Sequence, residues 1–137
     1  MAQTVSLNGV DYSIPDPNEK SWGAEVTAYL VAVAAVVSGY TVDTVAATAA
    51  LQLDPTKNIL HLNAASAVTL HATTAILDGA NNGQVLILFG TSDTNTVTVP
   101  TAANTALNGN AILKDGDSLS MIWDSVDSLW RENARNT

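Results

Sequence analysis

Val85-Leu86-Ile87-Leu88-Phe89, preceded by Gly83-Gln84 and followed by the turn residues Gly90 to Asn95, is apolar at every position. A run this short between turn residues reads as a strand. An unbroken apolar run also implies burial on both faces, because a half-solvated strand would alternate. The flanking segments repeat the punctuation. Upstream, Asp78-Gly79-Ala80-Asn81-Asn82-Gly83 is a strong turn, and Ile59, Leu60, Leu62 and then Val68, Leu70 form short apolar runs. Downstream, Thr96-Val97-Thr98-Val99 alternates until Pro100 ends it. Asn108-Gly109-Asn110 and Asp115-Gly116-Asp117 bracket Ala111-Ile112-Leu113, and Leu119 to Trp123 and Leu129 to Arg131 lie on either side of Asp124-Ser125-Val126-Asp127. Such spacing indicates an all-β sandwich, barrel or trimeric β module. No repeat is strict enough to claim a solenoid. Residues 40–56 fit a helix by their Ala content and a strand by their Thr and Val content, and both readings stay open.

The N-terminal third reads differently. Val5 and Leu7 alternate with polar residues, Asn8-Gly9 is a turn dipeptide, and Val10 to Ile14 alternates again around Tyr12. Pro15-Asp16-Pro17 then stops any ladder. Ser21 can cap a helix starting at Trp22, with Glu25 near its positive end. Trp22, Val26, Tyr29 or Leu30, Val33 and Val37 recur at helical spacing until Ser38-Gly39. Ala28, Ala32, Ala34 and Ala35 leave the opposite side almost uncharged, so this helix has no conventional solvent face. The expected organisation is an extended attachment arm over 1–21, a helix over 22–39 and a β domain over 40–137.

Composition narrows the function. The 137 residues carry 5 basic and 13 acidic groups, a net charge of −8. That balance cannot track a phosphate backbone, so nucleic-acid binding is excluded as a main role, and anionic membrane surfaces are disfavoured. The most apolar stretch, Val26 to Val37, is shorter than the roughly 20 residues a bilayer span needs, and no membrane insertion is expected. With no cysteine, disulfides and thiolate sites are absent. Charged residues make up only 13%, about half the usual share. A chain with so little surface charge is expected to hide surface in partner chains.

No constellation of residues specifies chemistry. His61 and His71 stand in different apolar runs, without the close pairing of a metal site. Asp115-Gly116-Asp117-Ser118 has the start of a calcium loop but not its later acidic positions, and Asp-Gly is also the commonest hairpin turn. Trp22 fits helix core, and Trp123 with Trp130 fits a cross-strand pair better than a sugar platform. No nucleophile elbow, phosphate loop or dinucleotide fingerprint is present. The expectation is no enzyme activity, no catalytic residue, no metal and no cofactor.

Two segments carry a resemblance. One is Leu7-Asn8-Gly9-Val10-Asp11-Tyr12-Ser13-Ile14-Pro15 with Trp22-Gly23 and the helix start at Val26–Leu30. The other is Gly83-Gln84, Leu86-Ile87-Leu88, Gly90, Val97-Thr98-Val99, Gly109, Leu113, Gly116, Leu119, Trp123 and Trp130-Arg131-Glu132. They resemble small structural proteins of tailed bacteriophages: capsid decoration proteins, head fibres and short tail-fibre segments. The resemblance implies a virion component without enzymatic activity, built as a homotrimer. The expected fold is mainly β: an extended N-terminal arm, one helix, then an antiparallel β barrel or sandwich-like module. Because the chain is short and has no long shaft repeats, the favoured role is a capsid decoration protein. It would bind the major capsid protein on the outer capsid surface and stabilise the shell. The alternative is a head-fibre or tail-fibre segment that binds host surface glycans. Expected trimer contacts are Val26, Leu30, Val33, Val37, Leu86 and Leu88, and expected capsid-attachment residues are Val5, Leu7, Tyr12 and Ile14.

Overall fold

The computed structural model describes residues 3–7, 10–14 and 42–137, together with Thr27, Leu30 and Val33. The chain divides into two units, Met1–Tyr40 and Thr41–Thr137. In the first unit β1 (Gln3–Leu7) and β2 (Val10–Ile14) pair antiparallel, with Leu7 opposite Val10 and Gln3 opposite Ile14. The alternation on both sides of Asn8-Gly9 thus makes a hairpin, the register that a two-residue connection demands. Thr27, Leu30 and Val33 are helical, and Leu30 is 57% exposed. The rest of the helix expected over 22–39, including Val26 and Val37, and the Pro15–Asn18 stretch lie outside the described residues.

The second unit is all strand and turn. Its strands are β3 (Val42–Ala47), β4 (Ile59–Ala64), β5 (Val68–Thr69), β6 (Val85–Gly90), β7 (Val97–Val99), β8 (Thr105–Ala106), β9 (Ala111–Leu113), β10 (Ser118–Asp124) and β11 (Leu129–Asn136). They form a six-stranded sheet, β3-β4-β6-β10-β11-β8, and a three-stranded sheet, β5-β7-β9. Apolar side chains from both sheets form one core. Leu60, Leu62, Leu86, Leu88, Leu119 and Met121 come from the first, and Val97, Val99, Ala111 and Leu113 from the second.

The expected antiparallel module is corrected here: the sheets are mixed. β3, β4 and β6 run parallel, as do β5 and β7, and β8 runs parallel to β11. From β4 to β10 successive strands alternate between the two sheets. From β3 the chain enters residues 50–53, which bond to the β5 segment and the residues after it: Ala50 N–H donates to Thr69 O, and His71 N–H to Leu51 O. It then passes through β4, β5, β6 and β7. The result is a coil of three windings. Equivalent residues stack in register, Val42–Ile59–Ile87 in one sheet and Val68–Val97 in the other. The undecided segment 40–56 therefore contributes β3 and the first pass through the second sheet. Its Thr and Val content prevails over its Ala content because six residues pair fully with β4.

From β9 onward the sheets close by antiparallel pairing. β9 pairs with β7 and β10 with β6, while β10 and β11 form a hairpin. Asp115-Gly116 is not a hairpin turn. It carries the chain from the three-stranded sheet to the six-stranded one, with Lys114 N–H donating to Asp117 Oδ2 at 2.9 Å. Gly90 sits against this crossing. A Cβ there would overlap the Lys114 carbonyl oxygen and lie 2.7 Å from the Leu113 carbonyl carbon, so only glycine lets β6 end beside the turn.

Candidate functional site

The strand that decides the fold also decides the surface. In β6, Leu86 and Leu88 are fully buried, whereas Val85, Ile87 and Phe89 are half-buried on the opposite face. Leu86 and Leu88, expected at a trimer contact, instead fill the subunit's own core. The outward row belongs to their alternates. Neighbouring strands extend it: Ile59 and His61 on β4 are in register with Ile87 and Phe89, and Ile122 on β10 stands opposite Val85. His61 stacks on Phe89, with ring centroids 5.2 Å apart and planes 20° from parallel. Val42 on β3 continues the row and is 57% exposed.

This outer face carries no Asp, Glu, Lys or Arg on β4 or β6. Charge enters at one end, where Arg131 Nε donates to Asp124 Oδ2 at 2.8 Å and Arg131 also pairs with Asp127. The Arg131 guanidinium, with the Val126 and Asp127 N–H groups, holds the Asp124 carboxyl below its ordinary range against the opposing effect of desolvation. Hydrogen bonding to that carboxylate holds Arg131 above its own.

A second ion pair lies on the other side of β11. Glu132 and Arg135 are three apart, which in a regular strand puts them on opposite faces. A bulge between Ser120 and Met121 in the β10–β11 register brings them to one side. There Arg135 reaches Glu132 Oε2 at 2.8 Å and the carbonyls of Gly109 and Asn110, and Glu132 accepts the Asn108 N–H. This cluster fastens the 108–110 turn to the sheet margin.

The other sequence candidates take structural places. Trp123 and Trp130 stand opposite each other with ring centroids 5.4 Å apart, both in the core and out of reach of a sugar. His71 caps a local turn, its Nδ1 accepting the Thr74 N–H at 3.2 Å. It lies next to the three-stranded sheet, away from the six-stranded sheet that holds His61. In the hairpin Val5 stands opposite Tyr12, and Leu7 and Ile14 face Val10 and Gln3. Among the described residues no group of three or more His, Cys, Asp or Glu could hold a metal, and no helix is long and apolar enough to cross a membrane. The residues that sequence reading missed are Ile59, Val85, Ile87, Phe89 and Ile122. The continuous run at 85–89 signalled two covered faces, but a run without alternation does not say which parity points inward.

Comparison with known proteins agrees with the sandwich. The model of a family described as the phage depolymerase C-terminal β-sandwich domain matches residues 31–131, well over half of the chain. No curated protein and no solved structure matches it. The match points to a phage structural protein of the tail-fibre or spike type, associated with the virion, and supports that reading over capsid decoration. With a two-sheet core over Thr41–Thr137 and this match across it, the chain belongs to the phage depolymerase C-terminal β-sandwich domain family.

Proposed function

We propose that this chain is a non-enzymatic module of a phage tail fibre or spike. It assembles as a homotrimer and presents its sandwich to host surface glycans. The family match over residues 31–131 carries the reading. The outer face of β4 and β6, which carries no charged residue, supports the assembly. Copies of a chain with a net charge of −8 repel one another, so a self-contact must lie where charge is lacking and apolar area is offered. The row Ile59, Val85, Ile87, Phe89 and Ile122 meets both conditions. In this reading the hairpin residues Val5, Leu7, Tyr12 and Ile14 join the module to the rest of the virion.

Sedimentation equilibrium of the full chain should give three times the 14.2 kDa chain mass; a compact single-chain species would refute the trimer. Labelling intact virions with an antibody against residues 42–137 should mark the tail. Label distributed over the shell would overturn the fibre reading and restore capsid decoration, with the major capsid protein as partner. Binding to an array of host surface glycans should be detectable for the trimer, and its absence with a tail location would leave a purely structural module.

A further inference from the structure

The coil of parallel strands has two different ends. At its C-terminal end β6 is covered by antiparallel β10, and β7 by antiparallel β9. At its N-terminal end β3 is an edge strand among the described residues. It pairs with β4 over six residues without a bulge and contains no Pro, Lys or Arg. An edge of this kind is a template for another strand. One residue breaks the pattern. The register stacks Asp43, Leu60 and Leu88 in one row and Val45, Leu62 and Gly90 in the next. Leu60 and Leu88 are 1% and 0% exposed. Asp43 is exposed, and its Oδ1 accepts the Thr44 N–H at 2.8 Å. A core row that is leucine in the second and third windings is thus a carboxylate in the first.

We propose that Asp43 is the stop of the coil: its carboxylate, placed in a core row at the open edge, prevents the β3 edge of one copy from pairing with that of a second. If two such ends met, each carboxylate would enter the continuation of the Leu60–Leu88 row. It would lose water there without gaining a cation, since β3, β4 and β6 carry no Lys or Arg. Stacked-repeat proteins need a polar terminal layer for the same reason.

The test uses the full chain. Asp43→Val makes the first winding resemble the other two. Sedimentation velocity over a hundredfold concentration range should show this variant at a mass above the wild-type species and rising with concentration. Each chain offers one β3 edge, so a single-chain species would stop at twice its mass and a trimer, with three edges, would reach at least twice. Amides of residues 42–47 should exchange more slowly in the doubled form. Asp43→Asn, of equal shape without the charge, should double at higher concentration. A folded Asp43→Val variant with wild-type mass throughout would overturn the proposal. So would doubling without added protection at 42–47, or a wild-type chain already protected at the β3 amides that do not bond to β4. Each result is read against wild-type mass, so it stands whether or not the wild-type protein is a trimer.

Discussion

Trp130 joins the two halves of the sandwich through one atom as well as through its ring. It is fully buried, and its Nε1–H donates to the Leu77 carbonyl at 2.9 Å across 53 residues of chain. Trp130→Ala should cost about 3–5 kcal/mol in urea unfolding, because it removes the ring and leaves a cavity. Trp130→Phe keeps most of the apolar surface and should cost less, about 1–2 kcal/mol, as the carbonyl loses its donor. Equal losses would mean that the bond, and not the ring, carries the effect. At the solvent-facing end, Asp124 makes a separate prediction. Its carboxyl is held low chiefly by Arg131. The stabilisation it contributes is therefore present above the unfolded carboxylate value and is lost as pH falls through the lower folded one. An NMR titration should place its midpoint below that of a free Asp, about 3.9, and Arg131→Gln should raise it. An unchanged midpoint in that variant would show that the backbone N–H groups alone do the work.

Within β6, neighbouring residues have opposite consequences. Leu88 is fully buried, and Ile87 is half-buried on the outer face. Leu88→Lys places an unpaired charge in the core and should abolish folding. Ile87→Lys leaves the core intact and should give a folded chain of lower assembled mass, seen as native near-ultraviolet dichroism with a reduced sedimentation coefficient. A trimer surviving Ile87→Lys would move the contact off this face. The hairpin β1–β2 has its own expected outcome. A two-stranded hairpin is marginal alone, so it is not expected to fold independently, and the proposed attachment role can be tested by removing it. Deleting residues 1–14 should abolish incorporation into virions while leaving the dichroism of Trp123 and Trp130 unchanged; full incorporation would place the anchor elsewhere.

Among the described residues, the buried core lies between Ala47 and Trp130, inside the second unit. A fragment of residues 41–137 should therefore melt cooperatively, with near-ultraviolet signals matching those of the whole chain. A broad, non-cooperative transition would show that the first unit completes the fold. Two sheets with a shared core also explain how a domain without cysteine or metal clusters among its described residues holds together. Burial of leucine, valine and tryptophan side chains drives it, and the turns at Gly83, Gly109 and Gly116, each with φ near +80°, direct the crossings between sheets.

The sequence by itself determined the local features. Turn dipeptides, the apolar runs at 59–62, 85–89 and 119–123, and the cross-strand pairing of Trp123 with Trp130 all follow from propensities and alternation within a few residues. Only the tertiary structure decided which strands run parallel, because the direction of a strand is set by partners distant in the chain. The stacks Val42–Ile59–Ile87 and Val68–Val97 have unequal spacings along the sequence, so no fixed period announces the coil; the matching Val68-Thr69-Leu70 and Val97-Thr98-Val99 are its one local trace. The candidate surface was hidden for a related reason. A strand apolar at every position can be turned either way, and it was packing against the second sheet that sent Leu86 and Leu88 inward and left Val85, Ile87 and Phe89 outside.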